Sequence, residues 1–397
     1  MSAATHAHPV TRRNATAVQA IVLLAAASMP VMAATLLTPV LPQMLEHFAG
    51  TPGSAVLVPL LITAPALMIA VFAPFAGQIV DRVGRKWLLV IGLVAYAALG
   101  VIPAFVDGLG AILASRLALG VCESAIMTVA TALIVDYYRD EKQRSRYLGL
   151  QGATASIGAT VFIIVGTAVG AAGWQAPFWV YLVSLVIAAA AVVLLWEPRG
   201  GEAVGTVERS RIAWGPLVGP LLVTILGGLT FYTLVVNLPV IVEQAGIAAS
   251  NTAVIGGIAA VASLFVALGG IFFPQIRKLL GDRVVPVGFA LQAVGMILLW
   301  ALSGLGVGGV VPGALIASFG AGLILPGFLT WVVARTGFAE RGRVTGLWTG
   351  AFFLGNFLAP VVANGLGAAL GGLAGAVGII GVLAAAAAVI TSRMKRG

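Results

Sequence analysis

The sequence predicts an all-α membrane protein of twelve spanning helices, arranged as two pseudo-symmetric six-helix bundles. Three observations carry that expectation. Of the 397 residues, 60% are hydrophobic and only 9% are charged, where a soluble domain carries about 25% charged residues. The few charges cut the chain into apolar runs one or two membrane thicknesses long. The second half also repeats the first at an offset of 197 residues, which places Arg144 on Arg341, Arg146 on Arg343, Gly149 on Gly346, Leu150 on Leu347 and Gly158 on Gly355. The same offset brings Leu41-Pro42 onto Leu238-Pro239 without a gap. A chain this apolar cannot hide its surface in a soluble fold, so lipid is its solvent.

A spanning helix needs about 20 apolar residues. Residues 1–13 read as a polar tail. Arg12 and Arg13 ahead of an apolar run resemble a signal peptide, but the run is too long and eleven further spans follow. Asn14 to Leu45 holds span 1, residues 47–80 span 2, Trp87 to Val106 span 3, and Gly108 to Val135 span 4. The 50 residues from Tyr147 to Trp196 contain no Asp, Glu, Lys or Arg and hold spans 5 and 6, turning at Ala171-Ala172-Gly173-Trp174. Residues 14–196 thus form the first bundle. Residues 197–211, rich in Gly and charge, form a linker too short to be a domain. Residues 212–392 form the second bundle: Ile212 to Val242 and Gln244 to Ile276 hold one span each. Val284 to Ala334 holds two, turning near Gly304–Gly309, and Val344 to Ser392 two, turning near Gly367–Gly372. Residues 393–397 are a short tail.

The basic residues set the orientation. Of 22 Lys and Arg, 21 fall in the two tails or in the loops after spans 2, 4, 6, 8 and 10; Arg116, inside span 4, is the exception. The odd-numbered loops contain none. By the positive-inside rule both termini are cytoplasmic. The net charge of +9 is therefore topological and implies no nucleic-acid partner. The single cysteine, Cys122, forms no intramolecular disulfide. His6 and His8 have no third ligand nearby, so no metal site is expected.

Between spans 2 and 3 lies a charged island, G-Q-I-V-D-R-V-G-R-K, from Gly77 to Lys86. Positive-inside anchoring accounts for Arg82, Arg85 and Lys86. It does not account for Asp81, or for glycines at both Gly77 and Gly84, where tight turning or close helix approach is favoured. Asp81 is placed to meet a helix N-terminus in the other half, near Val344, where the macrodipole favours an anion; that contact would latch one side shut. The island resembles the loop between the second and third helices of major facilitator superfamily (MFS) transporters, G-x-L-a-D-R-x-G-R-K, matching at Gly77, Asp81, Arg82, Gly84, Arg85 and Lys86, with Ile79 in place of Leu. The resemblance implies the MFS fold and a gating role for this motif. A degraded copy occupies Pro274–Arg283, with Gly281 on Gly84.

Span 4 contains R-L-A-L-G-V-C-E, from Arg116 to Glu123. A charge at mid-membrane costs about 2.5–3.5 kcal/mol on insertion scales, which makes it a functional candidate. Two helical turns return Arg116 and Glu123 to one face, roughly 10 Å apart. They would meet through extended side chains or water. Burial disfavours the ionised carboxyl and Arg116 favours it, so Glu123 is the candidate proton carrier and Arg116 its partner; an ion pair that merely holds helices together is the structural alternative. Arg116 and Gly120 also match the family's fourth-helix motif.

Span 5 departs from the family. The Gly-Pro and Gly-Gly pairs usual in proton-driven exporters correspond here to Phe162-Ile163 and Gly166-Thr167. Gly166 and Gly170 still offer a small face for close packing. The span 1 stretch Thr38 to Pro42, T-P-V-L-P, is similar to another exporter motif. Spans 1, 4, 7 and 10 line the cavity in the resembled fold, so Met32, Thr35 and Tyr232 are candidate lining residues, with Asn356 in span 11 a weaker one; Asn237 and Trp331 are further polar or amphipathic positions. Gly367, Gly371 and Gly375 read as backbone packing, and His47 as an external-loop residue.

The expected function is secondary active transport of a small organic solute, as proton-coupled efflux by alternating access in the manner of MFS drug/proton antiporters, from a bacterial-type inner membrane and as a monomer. A symporter or facilitator on the same fold is the nearest alternative. A polytopic enzyme would need a nucleophile, a metal site or paired acids at one depth, and a sensor would bring a soluble domain; neither pattern is present. No cofactor is expected.

Overall fold

The computed structural model describes residues 15–138, 140–198, 214–333 and 341–394, and within these the backbone alone for 76–83, 145, 156, 216, 282, 329–333 and 341–343. The expected tails and most of the 197–211 linker lie outside the described residues. Among the described residues twelve helices are long and apolar enough to cross a bilayer. Spans 1 to 6 are Ala17–His47, Ser54–Val83, Lys86–Ala104, Leu109–Tyr137, Glu141–Gly170 and Ala176–Leu194. Spans 7 to 12 are Gly215–Gln244, Thr252–Leu280, Val284–Leu305, Val307–Val333, Arg341–Leu370 and Leu373–Arg393. Moving the first six by 197 residues lands on the last six with boundaries agreeing to within four residues. The repeat seen in scattered identities is thus a repeat of whole helices.

Helices form because lipid offers no partner for a free N–H or C=O. Side chains cap several of the helix starts. Thr16 and Gln19 build a capping box at the start of span 1, Asp140 accepts from the Gln143 N–H at 2.8 Å, and Asn251 accepts from the Val254 N–H at 3.3 Å. The expected turns appear between Gly170 and Ala176, between Leu305 and Val307, and between Leu370 and Leu373.

Span 1 crosses once, as expected, while the extent of the charged island needs correcting. Span 1 is not one continuous helix: it runs as Ala17–Ala27, Met29–Thr35, a 3-10 turn Thr38–Val40, and Leu41–His47. Pro30, Pro39 and Pro42 each lack an N–H, and each sits in the first turn of a new piece, where that donor is not needed. The charged island is not a ten-residue turn either. The helix of span 2 continues to Val83 and that of span 3 begins at Lys86, leaving only Gly84 and Arg85 between them. Nothing before Gly84 breaks a helix. Gly84 takes φ +91°, and its repeat counterpart Gly281 takes φ +59°, so both halves turn on a backbone that favours glycine.

Within each half, glycines let helices touch backbone to backbone. A Cβ at Gly120 of span 4 would enter the Pro65 carbonyl of span 2, one at Gly166 the Leu36 carbonyl of span 1, and one at Gly228 of span 7 the Phe352 carbonyl of span 11. Gly371, expected only to pack, has φ +76° and serves the last turn. The halves meet along two seams. Span 11 lies on span 2 through Gly346 and Gly350, over Pro74, Ala73 and Ala70. Span 5 lies on span 8, where Thr160 Oγ1 donates to Ser263 Oγ at 3.1 Å and Thr252 Oγ1 donates to the Thr167 carbonyl at 3.3 Å.

Candidate functional site

Span 4 packs between spans 2, 3 and 1, and its two mid-span charges, Arg116 and Glu123, point into protein. Arg116 is 1% exposed and Glu123 2%. They form no ion pair with each other among the described residues. Arg116 reaches instead toward spans 3 and 6. Its Nη1 donates to Tyr181 Oη at 3.0 Å, and its Nη2 donates to the carbonyls of Gly100 at 3.0 Å and Leu99 at 3.4 Å. Its guanidinium carbon stands 5.1 Å from the Phe178 ring centroid and 4.9 Å from that of Tyr181.

The reason lies in span 3. Its α-helix ends at Val101, so the carbonyls of Leu99 and Gly100 belong to a last turn that lacks helical partners. The donor Leu99 would normally use belongs to residue 103, which is proline. Arg116 supplies the missing donors and places a cation at the negative end of the helix dipole. Sequence reading identified Arg116 but missed Tyr181; the signal was present in Pro103, which announces an orphaned carbonyl.

Glu123 is left as a buried carboxyl whose Oε1 has no hydrogen-bond partner. It lies within electrostatic range of Arg116, Cys122, Tyr96 of span 3, Tyr181 of span 6 and Tyr232 of span 7. Tyr232 belongs to the opposite half, and its hydroxyl donates to the Ala34 carbonyl of span 1 at 3.4 Å. Tyr96 donates to the Met29 carbonyl at 2.6 Å. Glu123 therefore sits near the boundary between the halves, among phenols of which those of Tyr96 and Tyr232 donate to backbone carbonyls.

The proposed lining residues Met32, Thr35, Tyr232 and Asn356 are all buried. Thr35 Oγ1 donates to the Val31 carbonyl at 2.7 Å. Asn356, with its amide turned to satisfy both ends, donates to the carbonyls of Phe352 and Gly228. Asn237 donates to the Thr233 carbonyl at 2.8 Å. The side chain of Trp331 lies outside what is described. Next to Tyr232, Phe231 and Trp348 flank Phe352, with Trp348 and Phe352 stacked at 6.1 Å and the Trp348 Nε1 buried without a partner. The sequence reading did not single out this aromatic group; its members are far apart in the chain.

At the island, Gly77, Asp81 and Arg82 lie on the last turns of span 2 and their side-chain roles fall outside the described residues. Arg85 pairs with Asp136 at the end of span 4. The carboxylate of Glu197 accepts from the Arg85 N–H at 2.6 Å and the Lys86 N–H at 2.8 Å, capping span 3. Lys86 Nζ donates to the Val192 carbonyl at 2.8 Å, in the last turn of span 6. The island is thus tied to spans 4 and 6 of its own half. Asp136 and Glu197 escaped the sequence reading because they lie just outside the span and motif that drew attention. At the other end, His47 closes a short helix, with Nε2 2.7 Å from Asp107 Oδ1 and its ring 5.1 Å from that of Trp174. It joins loops 1, 3 and 5. Among the described residues no group of three or more His, Cys, Asp or Glu could hold a metal ion.

A family model described as Major Facilitator Superfamily matches residues 23–332. The chain belongs to the major facilitator superfamily. The MFS relatives include a tetracycline resistance protein, class E, of Escherichia coli, 26% identical over 368 residues, which are 88% of this chain and 87% of that protein. A triacylglyceride transporter of Mycolicibacterium hassiacum is 33% identical over 171 residues, but the match takes in 43% of this chain and only 30% of that longer protein. Among solved structures, a bacterial homologue of the human lysosomal transporter Spinster, inward-facing and unoccupied, superposes with a TM-score of 0.77 at 17% identity, covering 94% of this chain and 96% of that one. The fold is that of MFS transporters, and the chain is a multi-pass membrane protein of that superfamily.

Proposed function

We propose that this transporter exports a small organic solute in exchange for protons by alternating access, with Glu123 as the proton carrier. The observation that supports it is a mid-span carboxyl, 2% exposed, with one oxygen unpartnered and no ion pair among the described residues. Such a group is unfavourable as an anion unless water, a cation or a substrate reaches it. Rocking one half against the other brings water to it from either side in turn. Its position by Tyr232, at the meeting of the halves, lets solute occupancy and protonation compete for one space. The aromatic group around Phe352 and the candidates Met32, Thr35 and Asn356 would line the solute's path. Arg116 caps span 3 and lies against the rings of Phe178 and Tyr181. The resistance named in the tetracycline relative supports export over uptake. The placement of Lys and Arg supports cytoplasmic termini in a bacterial inner membrane, and we take the monomer as the working unit.

The departure in span 5, where Phe162-Ile163 stands for Gly-Pro, favours a symporter or facilitator as the second reading. Inverted membrane vesicles separate the two. After a thermal-shift screen has found a solute, adding it to vesicles acidified inside should dissipate the proton gradient. Solute-dependent acidification, or no proton movement, contradicts the antiport reading.

A further inference from the structure

Away from the pathway, a cleft of about 580 Å³ opens between spans 9 and 12 at the basic end of the second half. Its walls are Pro286, Val287, Ala290, Ala388 and Val389, and its mouth carries Arg283 and Ser392. The two alanines make the slot: larger side chains on the facing helices would close it. It opens on the surface that meets lipid, since Val294, Trp300, Val382, Leu383 and Ile390 on the same two helices are all exposed. We propose that this cleft binds one anionic phospholipid, its phosphate on Arg283 and an acyl chain along the apolar wall.

Charge complementarity selects the occupant. Arg277, Lys278, Arg283 and Arg393 are exposed at this end. Arg283 is also the residue before the first turn of the span 9 helix, where no side chain caps the helix, and a helix N-terminus adds its own attraction for an anion. A soluble anion would satisfy the mouth but leave the apolar wall empty. A zwitterionic lipid would fill the wall but gain less from the cation. Ser392 offers the headgroup little, because its hydroxyl already donates to the Val389 carbonyl at 2.7 Å. The cleft lies wholly within the second half, so rocking of the halves does not dismantle it. The bound lipid would anchor that half while the other moves.

Native mass spectrometry of the delipidated full chain tests this. The protein is titrated with phosphatidylglycerol or phosphatidylcholine of matched chains. The expected result is one saturable phosphatidylglycerol, bound about fivefold more tightly than phosphatidylcholine. Arg283→Gln should erase that preference, and Ala290→Trp, which fills the slot, should remove both lipids. Should Ala290→Trp fail to fold, Val389→Trp on the exposed wall replaces it. Arg146→Gln, in the first half, should behave as the unaltered protein. Equal binding of the two lipids, a preference surviving in Arg283→Gln, or an equal loss in Arg146→Gln overturns the proposal. Displacement by equimolar glycerol 3-phosphate also overturns it, because the site would then recognise the headgroup alone.

Discussion

Replacing Arg116 by lysine should harm the protein more than replacing it by methionine. Arg116 makes three hydrogen bonds, to Tyr181, Gly100 and Leu99, and lies over two rings. Methionine fills the space and removes the charge. It leaves the Leu99 and Gly100 carbonyls without a donor, at about 1–3 kcal/mol for each orphaned buried group. It also removes a mid-membrane charge that costs about 2.5–3.5 kcal/mol to insert. The two offset in part, so Arg116→Met should stay within about 2 kcal/mol of the wild type. Lysine keeps the insertion cost but presents a point charge in place of a planar fork. It cannot serve three acceptors and loses contact with the rings, worth about 0.5–2 kcal/mol. Arg116→Lys should therefore be less stable by about 2–3 kcal/mol on hydrogen-bond loss and ring contact together. Reversible unfolding in mixed micelles, followed by tryptophan fluorescence, measures both. If lysine retains wild-type stability and methionine does not, charge pairing with Glu123 holds the bundle and the capping account fails.

Gly120→Ala drives a methyl into the Pro65 carbonyl and should cost about 1–3 kcal/mol by overpacking, read by the same unfolding assay; an unchanged midpoint would show that spans 2 and 4 can part freely. Asp81→Asn should spare insertion yet lower transport and open the basic end more often, as seen in spin-label distances between spans 2 and 11; unchanged rates and distances would make Asp81 an ordinary helix-end residue. Reporter fusions after Gly200 and Gly397 should both report cytoplasm, and an external signal from either contradicts the orientation.

The fold was legible because lipid imposes a coarse code. Runs of about 20 apolar residues, punctuated by Arg82-to-Lys86 and the other basic loops, have few alternatives to spanning helices. Glycine-bearing stretches inside the double-length charge-free runs located even the 5–6, 9–10 and 11–12 turns. What composition could not show was where a span breaks: Pro30, Pro39 and Pro42 divide span 1, whereas Pro59 and Pro65 leave span 2 unbroken. Glu123 and Arg116 stood out because a charge in lipid is conspicuous. Their surroundings did not, because Phe178, Tyr181 and Tyr232 are ordinary residues in membrane helices and acquire meaning only from the helix they face. Glu197 was hidden for a different reason: it works through backbone N–H groups of Arg85 and Lys86, and no pattern in the chain marks an acceptor for a helix start over a hundred residues away.

The central claim is that Glu123 carries the exchanged proton. Proteoliposomes holding wild type or Glu123→Gln, loaded with the solute found by screening, allow driven transport and passive exchange to be measured on the same preparation. The account predicts that Glu123→Gln abolishes accumulation driven by a pH gradient, leaves solute counterflow measurable, and eliminates the proton release that accompanies solute binding in the wild type. If Glu123→Gln still concentrates solute against a gradient with the wild-type dependence on pH, the proton travels elsewhere or is not used, and the account is contradicted.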